Sequence, residues 1–126
     1  MKRIIFHIDV NNAFLSWSAV YRLSRGETLD IRTIPAVIGG DEASRRGVVL
    51  AKSNAAKKFG VVTGESIYTA KKKCPPLQVF PKNFEAYNFY SNEVIKIFKE
   101  YTDFIERYSI DESFLDVTAI AGKEPY

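Results

Sequence analysis

The run Arg3-Ile4-Ile5-Phe6-His7-Ile8-Asp9-Val10 is apolar at nearly every position, which predicts a strand lying inside a sheet. Alternation puts Ile5, His7 and Asp9 on one face. Ile4, Phe6 and Ile8 take the other, expected to be covered by helices. Asn11 or Asn12 can cap a helix to about Leu23, with Phe14, Trp17, Val20 and Tyr21 at helical spacing and Gly26 beyond its end. Pro35 to Ile38 and Gly47 to Ala51 read as short strands with Gly39-Gly40-Asp41-Glu42 as a loop between them. Ser53 caps a short helix that stops at Gly60, and Ser66 caps another that ends at Cys74-Pro75-Pro76. Leu77 to Phe80 returns as a strand. Asn83 opens the longest helix, to about Tyr101, whose stripe of Tyr87, Tyr90, Val94, Ile97, Phe98 and Tyr101 reads as core. Strands from about Phe104 to Ser109 and Ser113 to Val117 form a hairpin with Asp111 and Glu112 at its turn. No repeats appear, and nothing after the hairpin closes the sheet. The pattern is α+β, and a sheet left half built points to part of a longer chain.

Composition narrows the class. With 46% hydrophobic and 13% aromatic residues in 126, the chain should be ordered and globular, with one modest core or a small domain plus an insertion. No apolar run approaches the roughly 20 residues that span a bilayer, and the first strand begins too early for a signal peptide, so the expected location is cytoplasmic with no membrane partner. A lone Cys74 makes neither an internal disulfide nor a zinc site.

The net charge of +3 hides a lopsided distribution. From Arg45 to Lys82 there are nine basic residues against one acid, Glu65; from Asn83 to Asp116 there are eight acids against three bases. A basic middle and an acidic end suggest that one part holds phosphates and the other metals.

The acids carry the chemistry. Asp9 ends the first strand, and Asp111 and Glu112 sit together in the hairpin. Two like charges at about 4 Å repel by roughly 4 kcal/mol at an effective dielectric near 20, so three clustered carboxylates would take up protons or bind a cation. Oxygen ligands select hard ions, Mg²⁺ first and Mn²⁺ next. A hard-metal site gains little from imidazole, so His7 reads as a packed strand residue, and Asp116 reads as structural.

The phrases Ile8-Asp9-Val10-Asn11-Asn12-Ala13-Phe14, Gly47-Val48-Val49-Leu50-Ala51-Lys52-Ser53, Ala56-Lys57-Lys58-Phe59-Gly60-Val61, Ala70-Lys71-Lys72-Lys73-Cys74-Pro75 and Ser109-Ile110-Asp111-Glu112 together resemble, in order, the N-terminal part of Y-family translesion DNA polymerases. From Ile4 to about Val117 the chain resembles the N-terminal part of their DNA polymerase IV and UmuC-like branch. The resemblance implies a partial palm from residues 1–11 and 82–126, an antiparallel sheet with packed helices, and small inserted fingers from residues 12–81. A thumb and a C-terminal DNA-gripping domain would lie beyond Tyr126, leaving this piece catalytically incomplete alone. The resemblance further implies that Asp9, Asp111 and Glu112, with the Val10 carbonyl, hold two Mg²⁺ ions. Phe14 would be a steric gate against ribonucleotides, and the partners would be primer-template DNA, deoxynucleoside triphosphates and a sliding clamp reached through the absent region. Where many members carry a Tyr and an Arg that contact the triphosphate, this chain has Asn54 and Lys57; Lys57 keeps the charge without the bidentate fork.

Low-fidelity, lesion-tolerant nucleotidyl transfer is thus the expected function, with Gly39, Gly40 and Gly47 as a loose roof over the nascent pair. Two alternatives remain. Gly39-Gly40-Asp41-Glu42 mimics a diguanylate-cyclase signature, although the next residue is Ala43 and not an aromatic; or the chain is a non-catalytic DNA-binding module. A P-loop is rejected because Ala51 precedes Lys52.

Overall fold

The computed structural model describes residues 2–40 and 47–121. The elements run β1 (Ile5–Asp9), α1 (Ala13–Ser24), a short 3-10 turn (Ile31–Thr33), β2 (Ala36–Gly39), β3 (Val49–Lys52), α2 (Asn54–Lys58), α3 (Ile67–Lys73), β4 (Gln78–Pro81), α4 (Phe84–Phe98), β5 (Ile105–Arg107), β6 (Glu112–Asp116) and α5 (Thr118–Ala121). The fold is α+β. The chain forms two compact units, one from Met1–Asn11 with Tyr87–Tyr126 and the other from Asn12–Ala86.

In the Asn12–Ala86 unit, β2 is the central strand, antiparallel to β3 and parallel to β4. All four of its residues are buried, because apolar clusters cover both faces. One cluster joins Val37, Val49, Ala56, Val61, Ile67, Ala70, Cys74 and Leu77. The other joins Leu15, Ala19, Ile31, Ala36, Ile38 and Ala51. Ile38 pairs with Ala51 and Gly39 with Val49, so Leu50 is the extra residue of a bulge. That bulge switches the alternation of β3, letting Ala51 serve one cluster and Val49 the other.

The serine caps form as the sequence predicts: the Ala56 amide donates to Ser53 Oγ at 3.1 Å and the Thr69 amide to Ser66 Oγ at 3.1 Å. Ser53 is 1% exposed, and its hydroxyl also accepts from the Ala36 amide at 3.0 Å and donates to the Ile34 carbonyl at 2.6 Å. One side chain thus ties α2 to β2. Gly60, at φ 88°, turns the chain out of α2.

At α1 the structure corrects two expectations. Asn12 precedes the helix in the left-handed region (φ 50°) and its side chain caps nothing; Nδ2 donates instead to the Lys52 carbonyl at 2.9 Å. The buried positions are Ala13, Leu15, Trp17, Ser18 and Ala19, whereas Val20 is exposed. Leu15 and Ala19 join the cluster on the sheet, and Phe14 packs against it.

In the other unit β6 is central, with β1 and β5 antiparallel on either side. The expectation that the first strand lies inside a sheet is therefore overturned among the described residues: β1 is an edge, and Ile5 and Phe6 are exposed. Uniform apolarity does not by itself separate a central strand from an edge strand. Tyr87, Ser91, Ser113, Leu115 and Val117 form the buried interior. The stripe on α4 is core only at its start, since Ile97 and Tyr101 are exposed. Three short strands offer too little apolar surface for the whole helix. Helix α5 was not expected. Asp116 starts it, accepting from the Thr118 amide at 3.0 Å and the Thr118 hydroxyl at 2.6 Å.

Candidate active site

The antiparallel register sets Asp9 opposite Glu112, His7 opposite Phe114 and Ile5 opposite Asp116. Directly paired residues share a face, so all six side chains stand on one side of the β1-β6-β5 sheet. The opposite side carries Ser113 and Leu115 and is tied to α4: the Ser91 hydroxyl donates to the Ile110 carbonyl, while Arg107 donates to Ser91 Oγ and, at 2.9 Å, to Asn92 Oδ1. One side anchors the hairpin and the other displays its acids.

The turn draws two acids together. The amides of Tyr108 and Ser109 both donate to the Glu112 carbonyl, at 3.0 and 3.1 Å, and the Val10 amide donates to the Asp111 carbonyl at 2.9 Å. Ser109 Oγ then lies 3.0 Å from Asp111 Oδ1 and 3.1 Å from Glu112 Oε2. A hydroxyl has one proton and cannot donate to both at once, so these carboxylates converge on a point whose positive charge is only fractional. Glu112 Oε1 sits 3.1 Å from His7 Nε2. Since an ionised carboxylate only accepts, the imidazole nitrogen is the donor.

Thus Asp111 and Glu112 meet, and Asp9 faces Glu112 across the ladder. Among the described residues no three His, Cys, Asp or Glu side chains are gathered tightly enough to hold a metal ion. The donor set still suits Mg²⁺ or Mn²⁺: it is all oxygen, it comes from two adjacent strands and one turn, and two of its carboxylates approach the same Ser109 hydroxyl. Asp116 stands apart, its carboxyl held below the usual value by the Thr118 hydroxyl and amide, with Arg3 adding to the effect. It has a structural part, as expected. His7 and Ser109 are the partners the sequence did not reveal as such; period-two spacing from Asp9 and the Ser-x-Asp phrase were the available signals.

The other named residues belong to the Asn12–Ala86 unit. Phe14, on the first turn of α1, is half-buried and packs on the Leu15 cluster, with its ring edge-on to Phe84 at 6.1 Å. Asn54 and Lys57 are exposed on α2, three residues apart and so on one side of the helix. The basic stretch is only partly a solvated face. Lys73 Nζ contacts Glu65 at 2.6 Å and the Gly60 carbonyl at 3.1 Å, and Lys72 lies over the Tyr68 ring. Gly39 and Gly47 have a steric reason for being glycine: a Cβ on Gly39 would come within 2.5 Å of Ile67 Cδ1, and one on Gly47 within 3.0 Å of it. Asp41, Glu42, Ala43, Arg45 and Arg46 lie outside the described residues.

Solved structures share this fold. The crystal structure of DinB from Sulfolobus solfataricus superposes with a TM-score of 0.77 at 25% identity, covering 95% of this chain and 33% of that one. An insertion ternary complex of Dbh DNA polymerase shares the fold at a TM-score of 0.77 and 24% identity, again over 95% and 34% of the two chains. The family model for impB/mucB/samB matches residues 8–125, and the chain belongs to that family of Y-family DNA polymerases. Curated relatives include the DNA polymerase IV of Clostridium acetobutylicum, 59% identical over 94% of this chain and 30% of the relative. DNA polymerase IV 1 of Bacillus subtilis is 38% identical over 92% of this chain and 27% of its own length. The chain thus spans about 30% of the curated relatives it matches. No helix among the described residues is long and apolar enough to cross a membrane.

Proposed function

We propose that the protein containing this chain is a template-directed DNA polymerase that extends primers past damaged bases, with residues 1–11 and 82–126 contributing to its palm and residues 12–81 forming its fingers. One observation carries the reading: in a member of this family, Asp9 faces Glu112 across the ladder while Asp111 and Glu112 converge on one hydroxyl. Asp9, Asp111 and Glu112, with the Val10 carbonyl, would hold two Mg²⁺ ions, Mn²⁺ substituting. Such ions activate a primer 3′-hydroxyl and neutralise the leaving pyrophosphate. Asp9 pairs with Glu112 in the sheet, and three oxygens of Asp111 and Glu112 lie within hydrogen-bond reach of Ser109 or His7. Lys57 and Asn54 would contact the triphosphate, Lys57 through charge and Asn54 through a single amide. The open basic side chains would track primer-template phosphates, a sliding clamp would engage the part outside this chain, and the location would be cytoplasmic.

Neither alternative has an observation in its favour. The family match opposes a diguanylate cyclase, and the three acids are intact, which opposes a non-catalytic module. The test is primer extension by the full-length protein. Asp111→Ala should lower it by about a thousandfold or more, since a metal's contribution of several kcal/mol is withdrawn, with folding unchanged. Near-normal extension would refute the assignment.

Phe14 would discriminate sugars: its ring would fill the space of a ribose 2′-hydroxyl. Phe14→Ala should raise ribonucleotide incorporation far more than it lowers deoxynucleotide incorporation. Equal loss on both substrates, or a drop in Tm, would instead make Phe14 a packing partner of Phe84.

A further inference from the structure

His7 is the unexpected member of the acidic face. It is half exposed, at 48% of its side chain, so burial does not explain its order. Its ring stacks on Phe114 with centroids 4.6 Å apart and planes 16° from parallel. Tyr108 meets the other ring of that pair edge-on at 5.9 Å and 82°. Tyr108 is itself 68% exposed. Three rings are therefore braced along an open sheet face rather than in a core, and the brace ends at Glu112, where Nε2 meets Oε1 at 3.1 Å.

Glu112 is flexible by nature, with three side-chain torsions to fix before it can serve as a ligand. Ser109 offers a proton to Oε2, but Asp111 competes for it. The imidazole has no such competitor among the bonds at Glu112. Each carboxylate oxygen has two lone-pair sites, so an N–H on one site of Oε1 still leaves room for a cation. Outer partners of this kind orient metal ligands, and losing one typically costs 10–100-fold in affinity.

We infer that His7 is a positioning residue: stacked on Phe114, it holds Glu112 in the orientation that receives a divalent cation. The inference rests on the metal-site reading above, and the test separates the two. Mn²⁺ binding to the full-length protein is followed by the spin-resonance signal of the free ion. His7→Phe keeps an aromatic ring on Phe114 and removes the donor; it should weaken Mn²⁺ binding by roughly 10–100-fold at unchanged Tm. His7→Gln, which can still donate, should recover part of that loss. In primer extension, His7→Phe should raise the Mg²⁺ concentration needed for half-maximal rate while the rate at saturating Mg²⁺ stays close to wild type, whereas a merely structural defect would lower the saturating rate and leave that concentration unchanged.

Unchanged Mn²⁺ affinity in His7→Phe, with Asp111→Ala losing the ion, overturns the role of His7 alone. Unchanged affinity in Asp111→Ala overturns the metal site and the inference with it. If His7→Phe fails to fold, a double-mutant cycle between His7→Leu and Glu112→Ala, which remove the donor and the acceptor, decides: strong non-additivity in Mn²⁺ binding supports the inference, and additive losses reject it.

Discussion

The two units use their sheets in opposite ways. Between Asn12 and Ala86, the central strand β2 is covered on both faces, and the positions that matter are small or apolar: Ala36, Val37, Ile38 and Gly39. In the unit built from Met1–Asn11 and Tyr87–Tyr126, one sheet face is tied to α4 while the other stays open and carries Asp9, Glu112 and Asp116. Charged ligands need that openness, because a carboxylate buried without partners would neutralise rather than bind an ion. Stability therefore concentrates in one unit and candidate chemistry in the other.

The sharpest break of this contrast is a volume change at one strand position in each sheet. Gly39→Val places a Cβ that would meet Ile67 Cδ1 at 2.5 Å and the Val48 carbonyl at 3.0 Å, so the Ile67 side chain must move and the β3 side must give slightly. Overpacking of this kind should cost about 3 kcal/mol. Ile5→Val on the open sheet, at a position 46% exposed, should stay within about 0.5 kcal/mol. Denaturant unfolding of both variants checks this, and comparable losses would mean the open face is covered in the whole protein.

Ser53→Ala probes the closed unit through hydrogen bonding instead. The substitution removes a cap on α2, strands the Ala36 amide and deprives the Ile34 carbonyl of its donor. About 2 kcal/mol should be lost. The same denaturation measurement applies, and a loss below about 0.5 kcal/mol would show that water replaces the hydroxyl.

What the sequence revealed, and what it hid, follows the same division of causes. Ser53 and Ser66 were readable as caps because capping depends on residues within one turn. The shared face of Ile5, His7 and Asp9 was readable because strand alternation is a backbone property. The exposed edge position of β1 was not, since it depends on which strands are present to pair with it. Nor was the left-handed Asn12, whose amide is claimed by Lys52, a residue far along the chain. The three acids stood out by type and position. Their arrangement did not, because the convergence of Asp111 and Glu112 on Ser109 depends on the path of the turn, and the bond from His7 to Glu112 on the register of β1 against β6.

Acidification offers the gentlest separation of the units. Glu65 accepts from Lys73 Nζ at 2.6 Å and from the Val62 amide at 2.8 Å, and its carboxyl lies below the usual value, chiefly because of Lys73. A carboxyl with a depressed folded pKa gives stability that is fully present above its unfolded pKa, near 4.3, and is lost as pH falls through the folded value. The pair is partly exposed, with side chains at 38% and 14%, so screening limits the effect to at most about 1 kcal/mol. Glu65→Gln should therefore lower Tm slightly at pH 7 and leave it unchanged near pH 2, flattening the acid limb of the wild-type curve. Asp116, depressed by Thr118 and Arg3, titrates with the same sign in the other unit, so Asp116→Asn should flatten that limb as well. Additive flattening in the double variant would show two independent acid-sensitive contacts, one in each unit. An acid limb untouched by Glu65→Gln would mean that the Lys73 contact does not persist in solution.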